Sequence, residues 1–497
     1  MVQSGNMKDG RLPFSSQIAR LRKRSSSSFT RAQKKHRATL FERMAKQVPA
    51  YRKMLRAGMT PANAPILTKK NYLHRNPFSK LFWDGTTRSS QVLTSTSGST
   101  GTPTYFARSQ AVDNQSSLIH EMFFSNSSLS PEKSTLVIVC FGMGVWIGGV
   151  ITYQAFELMG RRGYPLAILT PGINKNEILK ALTDIAPQYD QLILAGYPPF
   201  LKDVIDAARA QGISFKKHTV KLLFAAEAFT ENFRDHLAKL VGIKNPLTDT
   251  VNIYGSADLG TMAFETPLSI LARRLAVKHK ELFADLFDGI TKTPTLAQYI
   301  PEFVSFEAQN GEILISGDSA IPLMRYSIGD HGGVYTFDEL IERFKAHGID
   351  LKKEARKAGV DKTILELPFV YVFERIDLAT TLYGLQVYPE TIKEVLLDDR
   401  FNSEVTGKLT LITKYDDQQD QYIEINIEKK PGRVISNALA AKLLAEIVKS
   451  LREKNSEFRE LSDFIGKRAE PKLVFWPHED PLYFKPGIKQ QWVHKTR

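Results

Sequence analysis

Short apolar runs recur between residues 134 and 317, and each is followed by glycine, proline or a hydroxyl residue. They read STLVIVCF, YPLAILT, QLILAGY, VKLLFAA, TVNIYG and EILISG. Segments with helical spacing lie between them, such as KNEILKALTDIA and FLKDVIDAARAQG, the second ending at Gly212 as helices often do. This alternation predicts an α/β domain with a mainly parallel sheet flanked by helices. Ligands of such sheets gather at the carboxyl ends of the strands.

The pattern changes beyond about residue 375. VYPETIKEVLLD reads as a helix opened by proline, GKLTLITKY and YIEINIEKK as a hairpin, NALAAKLLAEIVKSLREK as a long amphipathic helix, and KLVFWP as one more strand. This pattern predicts a small α+β domain, and the length of the segment is within the usual size range of domains. We therefore predict a basic, disordered arm over residues 1–30, a large domain over 31–376 and a small C-terminal domain over 377–497.

The composition matches an ordinary folded protein. The chain has 497 residues, of which 42% are hydrophobic and 24% charged, enough for a sizeable core and more than one domain. Its single cysteine, Cys140, lies in an apolar run, which predicts a buried and inert thiol. Thiol-based and zinc-thiolate chemistry is thereby excluded, and we expect a reducing, cytoplasmic location.

The formal charge of +14 is concentrated at the N-terminus. Residues 1–40 hold ten Lys or Arg against one acid, Asp9, for a net +9, which leaves about +5 for the remaining 457 residues. The segment LRKRSSSSFTRAQKKHR is compatible with contacts to RNA or an anionic membrane, but a solvated and partly disordered terminus is the favoured interpretation. We do not expect nucleic acid as a partner. A mild excess elsewhere suits an enzyme with phosphorylated substrates.

One uncharged stretch, residues 134–156, has the length of a membrane-spanning helix. Four glycines interrupt it, at positions 142, 144, 148 and 149. They favour a buried strand, a tight turn and a following helix, so we predict no membrane span.

Residues 94–104, TSTSGSTGTPT, follow a predicted strand, SSQVLT. With little side-chain bulk, successive backbone N–H groups of such a turn can converge on an anion, and the hydroxyls add donors. A phosphate-binding loop is therefore one interpretation. A solvated linker is the other, because no GK[ST] sequence closes the loop.

The order of several segments decides between these interpretations. TSGSTGTPT, FGMGVWIGG, FAAEAFTENFR, IYGSADLG, IPLMRYSIGD, ERID and YGLQVYPE together resemble the adenylate-forming superfamily, and more narrowly its phenylacetate-CoA ligase-like and coenzyme F390 synthetase-like branch. The resemblance covers about residues 30–400. It implies a large N-terminal domain with a small mobile C-terminal lid, and activation of a carboxylic acid by ATP and Mg²⁺ to an acyl-adenylate, which coenzyme A then attacks.

The resemblance also assigns roles at the nucleotide. The β- and γ-phosphates would be held by Ser97, Gly98, Ser99, Thr100 and Gly101. Ala226, Glu227 and Tyr254 would border the adenine. Asp330 would accept both ribose hydroxyls, since a carboxylate has paired acceptors, and Arg375 would reach the ribose or the phosphates.

Further positions depart from the family pattern. Asp258 stands where the family has a metal-binding glutamate; aspartate is one methylene shorter, though still a hard oxygen ligand. Gly255 would let the carboxylate substrate approach the backbone. Asp377 lies at the hinge, where Glu374 replaces the usual glycine before Arg375.

Two groups of candidates complete the assignment. Phe141, Trp146 and Tyr197 align with the acid-binding pocket and would suit an aryl or other apolar acid, although such residues equally often form plain core. The catalytic lysine would be Lys489, or second Lys485, whose ammonium would neutralise charge as the mixed anhydride forms. A solvated basic tail is an equal interpretation of both lysines.

The sequence therefore predicts an acid–thiol ligase of the acyl-CoA synthetase type. An alternative within the superfamily transfers the acyl group or AMP to a carrier protein, an amine or a cofactor hydroxyl. A second alternative is a catalytically inactive protein that binds nucleotide or nucleic acid. A homodimer is left open.

Overall fold

The computed structural model of the chain describes residues 16–90, 92–95, 104–288, 293–373, 380–484 and 493. Its strands up to residue 317 are β1 (Val92–Ser95), β2 (Tyr105–Arg108), β3 (Thr135–Cys140), β4 (Leu166–Leu169), β5 (Gln191–Gly196), β6 (Thr219–Ala225), β7 (Thr250–Ser256), β8 (Gly260–Phe264), β9 (Thr295–Gln298), β10 (Val304–Gln309) and β11 (Glu312–Gly317). Those that follow are β12 (Leu323–Tyr335), β13 (Phe369–Phe373), β14 (Thr380–Leu382), β15 (Leu385–Val387), β16 (Val405–Tyr415), β17 (Gln421–Lys429) and β18 (Lys472–Trp476).

The α-helices begin in the N-terminal segment and continue to the C-terminal part. Those before residue 250 are α1 (Ser16–Arg22), α2 (Ser26–Gln47), α3 (Pro49–Arg52), α4 (Gln110–Asn126), α5 (Ile147–Arg161), α6 (Lys175–Asp184), α7 (Pro198–Ala210), α8 (Glu231–Val241) and α9 (Pro246–Asp249). Those that follow are α10 (Pro267–Lys278), α11 (Lys280–Leu286), α12 (Phe337–Ala346), α13 (Leu351–Lys357), α14 (Pro389–Leu396), α15 (Asn437–Lys454) and α16 (Ser456–Ile465).

An 11-stranded sheet organises the larger part of the chain. Its order is β10-β11-β12-β13-β9-β8-β7-β6-β5-β3-β4. The ladders joining β7, β6, β5, β3 and β4 are parallel, whereas those from β7 through β8 to β10 are antiparallel. The predicted α/β class is confirmed, although the sheet is mixed rather than mainly parallel. All six apolar runs named above form strands of this sheet.

The uncharged stretch of residues 134–156 folds as predicted into strand, turn and helix. All six residues of β3 are buried, including the thiol of Cys140, and α5 begins at Ile147. The close approach of the first turn of α5 to the loop before it requires Gly149, because a Cβ there would lie 2.4 Å from the carbonyl oxygen of Gly142. In the part of the chain that the structure describes, no helix has the length and hydropathy needed to cross a bilayer.

The C-terminal part has a sheet of its own. Strands β16 and β17 form the predicted antiparallel hairpin, and β18 joins β17 in parallel. A second hairpin, β14–β15, turns through Tyr383 and Gly384, both with positive φ, as a two-residue turn of this hand requires. The predicted boundary at residue 376 lies outside the described residues and stays a prediction.

The prediction of disorder for residues 1–30 is wrong over residues 16–30. Helices α1 and α2 cover almost all of this segment, and Ile18, Leu21 and Phe29 are buried in a core cluster with residues of α4 and β3. Its charges are also engaged, since Arg24 forms an ion pair with Glu302. The prediction was based on the high content of basic residues, but burial of these three apolar side chains is enough to hold the segment against the core.

Candidate active site

A cavity of about 320 Å³ opens at the carboxyl ends of β6 and β7, where the sheet changes from parallel to antiparallel. Residues from several elements line it, so it is a tertiary feature. Its polar lining includes Glu227, Tyr254, Asp258 and Asp330, which we call the polar wall. Its apolar wall consists of Phe141, Trp146, Ile147, Ile151 and Tyr197. The C-terminal part adds Gly384, Gln386, Tyr388 and Glu457.

Asp330 and Tyr254 meet in the polar wall, as the sequence motifs led us to expect for two residues at one nucleotide. Asp330 lies within β12 and Tyr254 within β7, and the tyrosine hydroxyl donates to Oδ2 of Asp330 at 2.5 Å. Only 8% of Asp330 is exposed. The hydrogen bond fixes the carboxylate at the edge of the cavity.

Glu227 follows β6 and has a structural contact that the sequence does not predict. Ala226 before it adopts a positive φ of 75°, and the backbone N–H of Gly384 donates to Oε1 of Glu227. Asn252 donates to the Glu227 carbonyl at 3.0 Å. The residue therefore lines the cavity while its carboxylate holds the β14–β15 hairpin of the C-terminal part.

Gly255 lies near the end of β7, and Asp258 lies in the turn between β7 and β8. Oδ1 of Asp258 accepts from the hydroxyl of Tyr326 at 2.6 Å, and the residue is 4% exposed. A Cβ at Gly255 would come within 2.8 Å of the carbonyl oxygen of Gly260, so the close backbone contact there requires glycine.

The carboxylate of Asp258 is suited to be the single protein ligand of a magnesium ion. Mg²⁺ bound with phosphates commonly takes one or two carboxylates and keeps several waters. Among the described residues no cluster of three metal-ligating side chains occurs. The described residues of this wall thus form no protein-only metal cage, and Asp258 would contribute one carboxylate ligand.

Phe141, Trp146 and Tyr197 are at once core residues and cavity wall. The Phe141 and Tyr197 rings pack edge to face with centroids 5.0 Å apart. Tyr197 also lies against the β14–β15 turn, where a Cβ on Gly384 would fall 2.2 Å from its ring. Burial raises the pKa of Tyr197 above its ordinary value, so its hydroxyl stays protonated. These residues therefore belong to the core and also line the cavity, and their role in binding an acid stays a prediction.

Several predicted residues lie outside the described part of the chain. These are Ser97, Gly98, Ser99, Thr100, Gly101, Arg375, Asp377, Lys485 and Lys489. Their roles stay predictions. Ser95, the last residue of β1, does line the cavity.

The cavity also contains functional candidates that sequence reasoning missed. Gln386 and Tyr388 belong to YGLQVYPE, so the motif could have indicated them. His120 on α4 and Glu457 on α16 carry no local signal, because a single histidine or glutamate in a helix is ordinary. Burial raises the pKa of Glu457 to about 7, and the neighbouring Glu460 adds to the rise.

No model of a known protein family matches the sequence, and no curated protein matches it either. A solved structure does match: 2-hydroxyisobutyryl-CoA ligase in complex with 2-HIB-AMP and CoA in the thioesterification state. Its TM-score is 0.62 at 15% identity, over 99% of this chain and 95% of that chain. The chain has the fold of this ligase.

Two further structures of the same ligase agree less closely in space. An open conformation, in complex with 2-HIB-AMP and CoA, aligns with a TM-score of 0.52 at 15% identity over 98% of this chain and 97% of that one. A postadenylation state in complex with 2-HIB-AMP gives a TM-score of 0.52 at 13% identity over 99% and 95%. At these identities the shared property is the fold.

Proposed function

We propose that the protein is an ATP-dependent acid–thiol ligase, which joins a carboxylic acid to coenzyme A through an acyl-adenylate. The observation that carries the proposal is the cavity itself. One wall has carboxylates and a tyrosine hydroxyl suited to a nucleotide, the other is apolar, and Gly255 lines the cavity with them. A chain with the fold of a CoA ligase adds support.

The proposed reaction has two steps. A carboxylate oxygen attacks the α-phosphorus of ATP, the bond to the β-phosphate oxygen breaks, and pyrophosphate leaves. The thiol sulfur then attacks the acyl carbon, AMP leaves with the electron pair of the broken C–O bond, and the thiol proton passes to solvent. Each step needs negative charge to be neutralised as it develops.

Residues of the polar wall would bind and orient the nucleotide. Asp330, oriented by Tyr254, would accept hydrogen bonds from the two ribose hydroxyls. Asp258 would hold Mg²⁺, which supplies positive charge to the phosphates. Glu227 would keep the C-terminal part against the cavity through Gly384.

The residues outside the described ranges keep the roles that the resemblance implies. Ser97, Gly98, Ser99, Thr100 and Gly101 would hold the phosphates. Arg375 would add a cation at the ribose or phosphates, and Asp377 would act as the hinge. Lys489, or Lys485, would supply the ammonium for the first step.

The decisive experiment is acid-dependent release of pyrophosphate from ATP, measured over a panel of aryl, aliphatic and amino acids. Asp330→Asn should lower this activity at least about a hundredfold, since a charged acceptor of two hydrogen bonds is lost. Asp417→Asn, at an exposed turn position, is the matched control and should leave the rate unchanged.

The acceptor is tested separately by consumption of coenzyme A. Pyrophosphate release without thioester formation would point to a carrier protein, an amine or a cofactor hydroxyl instead. ATP binding with no acid-dependent pyrophosphate release for any acid would contradict the proposed function and favour a nucleotide-binding protein without activity.

A further inference from the structure

Among the described residues, His120 is the one histidine that lines the cavity, and it is almost completely buried, with 1% of its surface exposed. It lies in the third turn of α4, whose other face packs against the core. The ring contacts Phe156 of α5 edge to face, with centroids 5.1 Å apart. A polar ring thus lines the same cavity as the apolar side chains of Ile147 and Ile151 of α5.

One ring nitrogen of His120 has a partner and the other has none. Nδ1 lies 2.8 Å from the backbone carbonyl oxygen of Ser116. A carbonyl oxygen only accepts, so Nδ1 carries the hydrogen and donates it. Among the residues that the structure describes, Nε2 has no hydrogen-bond partner.

The protonation state follows from the same surroundings. Burial lowers the pKa of His120 to about 4, although the hydrogen bond to Ser116 opposes the shift. The imidazole is therefore neutral at pH 7. With the hydrogen on Nδ1, Nε2 presents a lone pair and acts as a hydrogen-bond acceptor.

Two hydroxyls, one on α4 and one on the neighbouring β8, do not satisfy Nε2 in the part of the chain that the structure describes. Ser116 and Thr261 pair with each other through their side-chain oxygens at 2.8 Å. A buried acceptor without a donor is unfavourable, and the cost persists if the bound ligand offers only hydrocarbon to it. A ligand with an O–H or N–H group at this point removes the cost.

We propose that the acid bound in this cavity carries a hydrogen-bond donor, a hydroxyl or N–H on its carbon skeleton, which Nε2 of His120 accepts. This inference rests on the proposed function for the reaction, but the binding claim can be tested on its own. It replaces the expectation of a purely apolar acid with that of a hydroxy- or amino-substituted one. His120 is then a specificity-determining residue.

The test compares acids that differ only in this group. Hydroxybenzoates are paired with methylbenzoates and methoxybenzoates of the same substitution, and 2-hydroxyisobutyrate is paired with pivalate, in which methyl replaces hydroxyl. In the unmodified protein we expect kcat/KM for pyrophosphate release to favour the donor in at least one pair by about tenfold or more, because its methyl partner leaves the acceptor unpaired. Equal values within every pair would overturn the proposal.

Two variants separate the acceptor from a merely structural role. His120→Leu removes the acceptor at similar size and should reduce the preference to near unity. His120→Gln keeps an oxygen or nitrogen near the position of Nε2, so the preference should be largely restored. If His120→Leu retains the full preference for the acid that carries the hydrogen-bond donor, another residue recognises this substituent and the proposal is wrong.

Two measurements remain informative even if no acid is activated. Tryptophan fluorescence reports acid binding directly, since Trp146 lines the same cavity. Tighter binding of the hydroxy acid than of its methyl partner, lost in His120→Leu, would support the proposal although the proposed reaction had failed. Nitrogen-15 spectra of the imidazole should show the Nδ1–H form at pH 7, and a hydrogen on Nε2 would overturn the assignment.

Discussion

Two sets of buried polar residues lie close together along β7, and they differ in how completely the fold satisfies them. The first is a buried ion cluster, which consists of Glu231, Arg234, Glu265 and Arg273. The second is the set of cavity residues described above. Asn252 joins the two sets, because its backbone N–H donates to Glu265 at 2.9 Å and its side chain lines the cavity.

In the ion cluster, charge is matched within the chain. Arg234 is fully buried and donates from Nη2 to both carboxylate oxygens of Glu265, at 2.8 and 2.7 Å. Its Nη1 reaches Thr250 at 2.6 Å, and its Nε reaches Glu231 at 3.0 Å. Arg273 bonds the same two glutamates. Each of the three guanidinium nitrogens of Arg234 thus has an acceptor within the protein.

The cavity shows the opposite condition. Nε2 of His120 and Oδ1 of Asn252 are buried without hydrogen-bond partners in the described part of the chain. Unsatisfied polar atoms at a cavity wall are costly unless a ligand or water meets them. Burial and charge alone therefore do not mark a binding site. A buried polar atom that lacks a hydrogen-bond partner beside a cavity does.

The largest effect is expected from breaking the ion cluster. Arg234→Met should lower the free energy of unfolding by roughly 3–5 kcal/mol, because Glu265 is left as a buried, under-compensated charge. Urea unfolding measures this. Lys454→Met, which breaks an exposed pair with Glu394, is the control and should cost at most about 1 kcal/mol. Equal losses would erase the distinction between the two regions.

A smaller loss in the free energy of unfolding is expected when the pH is lowered. Burial alone would raise the pKa of Glu231, but Arg234, Arg273 and Arg274 outweigh it and lower the pKa to about 2 from an ordinary 4.5. Because the unfolded state then binds the proton more tightly, the stabilisation is present above pH 4.5 and is lost as the pH falls toward 2. Glu231 should account for about 2 kcal/mol of stability lost between pH 5 and pH 3.

The measurement is the free energy of unfolding at both pH values for the native chain and for Glu231→Gln. The variant should be less stable at pH 5 and should depend less on pH. An unchanged pH dependence in the variant would mean that other carboxylates govern acid unfolding.

The smallest effect is expected in the polar wall of the cavity. Tyr254→Phe removes the hydroxyl that orients Asp330, so kcat/KM for ATP should fall about tenfold, the value of one hydrogen bond to a charged group. The exposed Tyr153→Phe serves as control. Tyr254→Phe should stay close to the native protein in urea, unlike Arg234→Met. A large loss of stability would place Tyr254 with the structural residues.

Local patterns predicted many elements closely. The segment NALAAKLLAEIVKSLREK forms α15 over its whole length, and KLVFWP forms β18. Local patterns did not predict which strands pair with one another. The antiparallel half of the large sheet arises because β12 and β13 return beside β9, a pairing between residues far apart in sequence.

The candidate site divides in the same way. Asp330 and Tyr254 were found because each belongs to a motif with a fixed order in the chain, and the fold brings their side chains together across 76 residues. Glu457 was not found, since its raised pKa comes from burial against other elements. The role of Glu227 in holding Gly384 was also inaccessible, because the contact spans 157 residues.

By itself, the sequence determined where strands and helices form, the glycines that permit close turns, and the motif residues of the polar wall, because these depend on neighbours within a few positions. Only the tertiary structure decided which buried polar atoms find partners. Nδ1 of His120 forms a hydrogen bond within its own helix, to a residue four positions away. Whether Nε2 has a partner among the described residues depends instead on how α4, α5 and β8 pack together. Pairing at about 3 Å is a property of three-dimensional distance, which the order of residues does not contain.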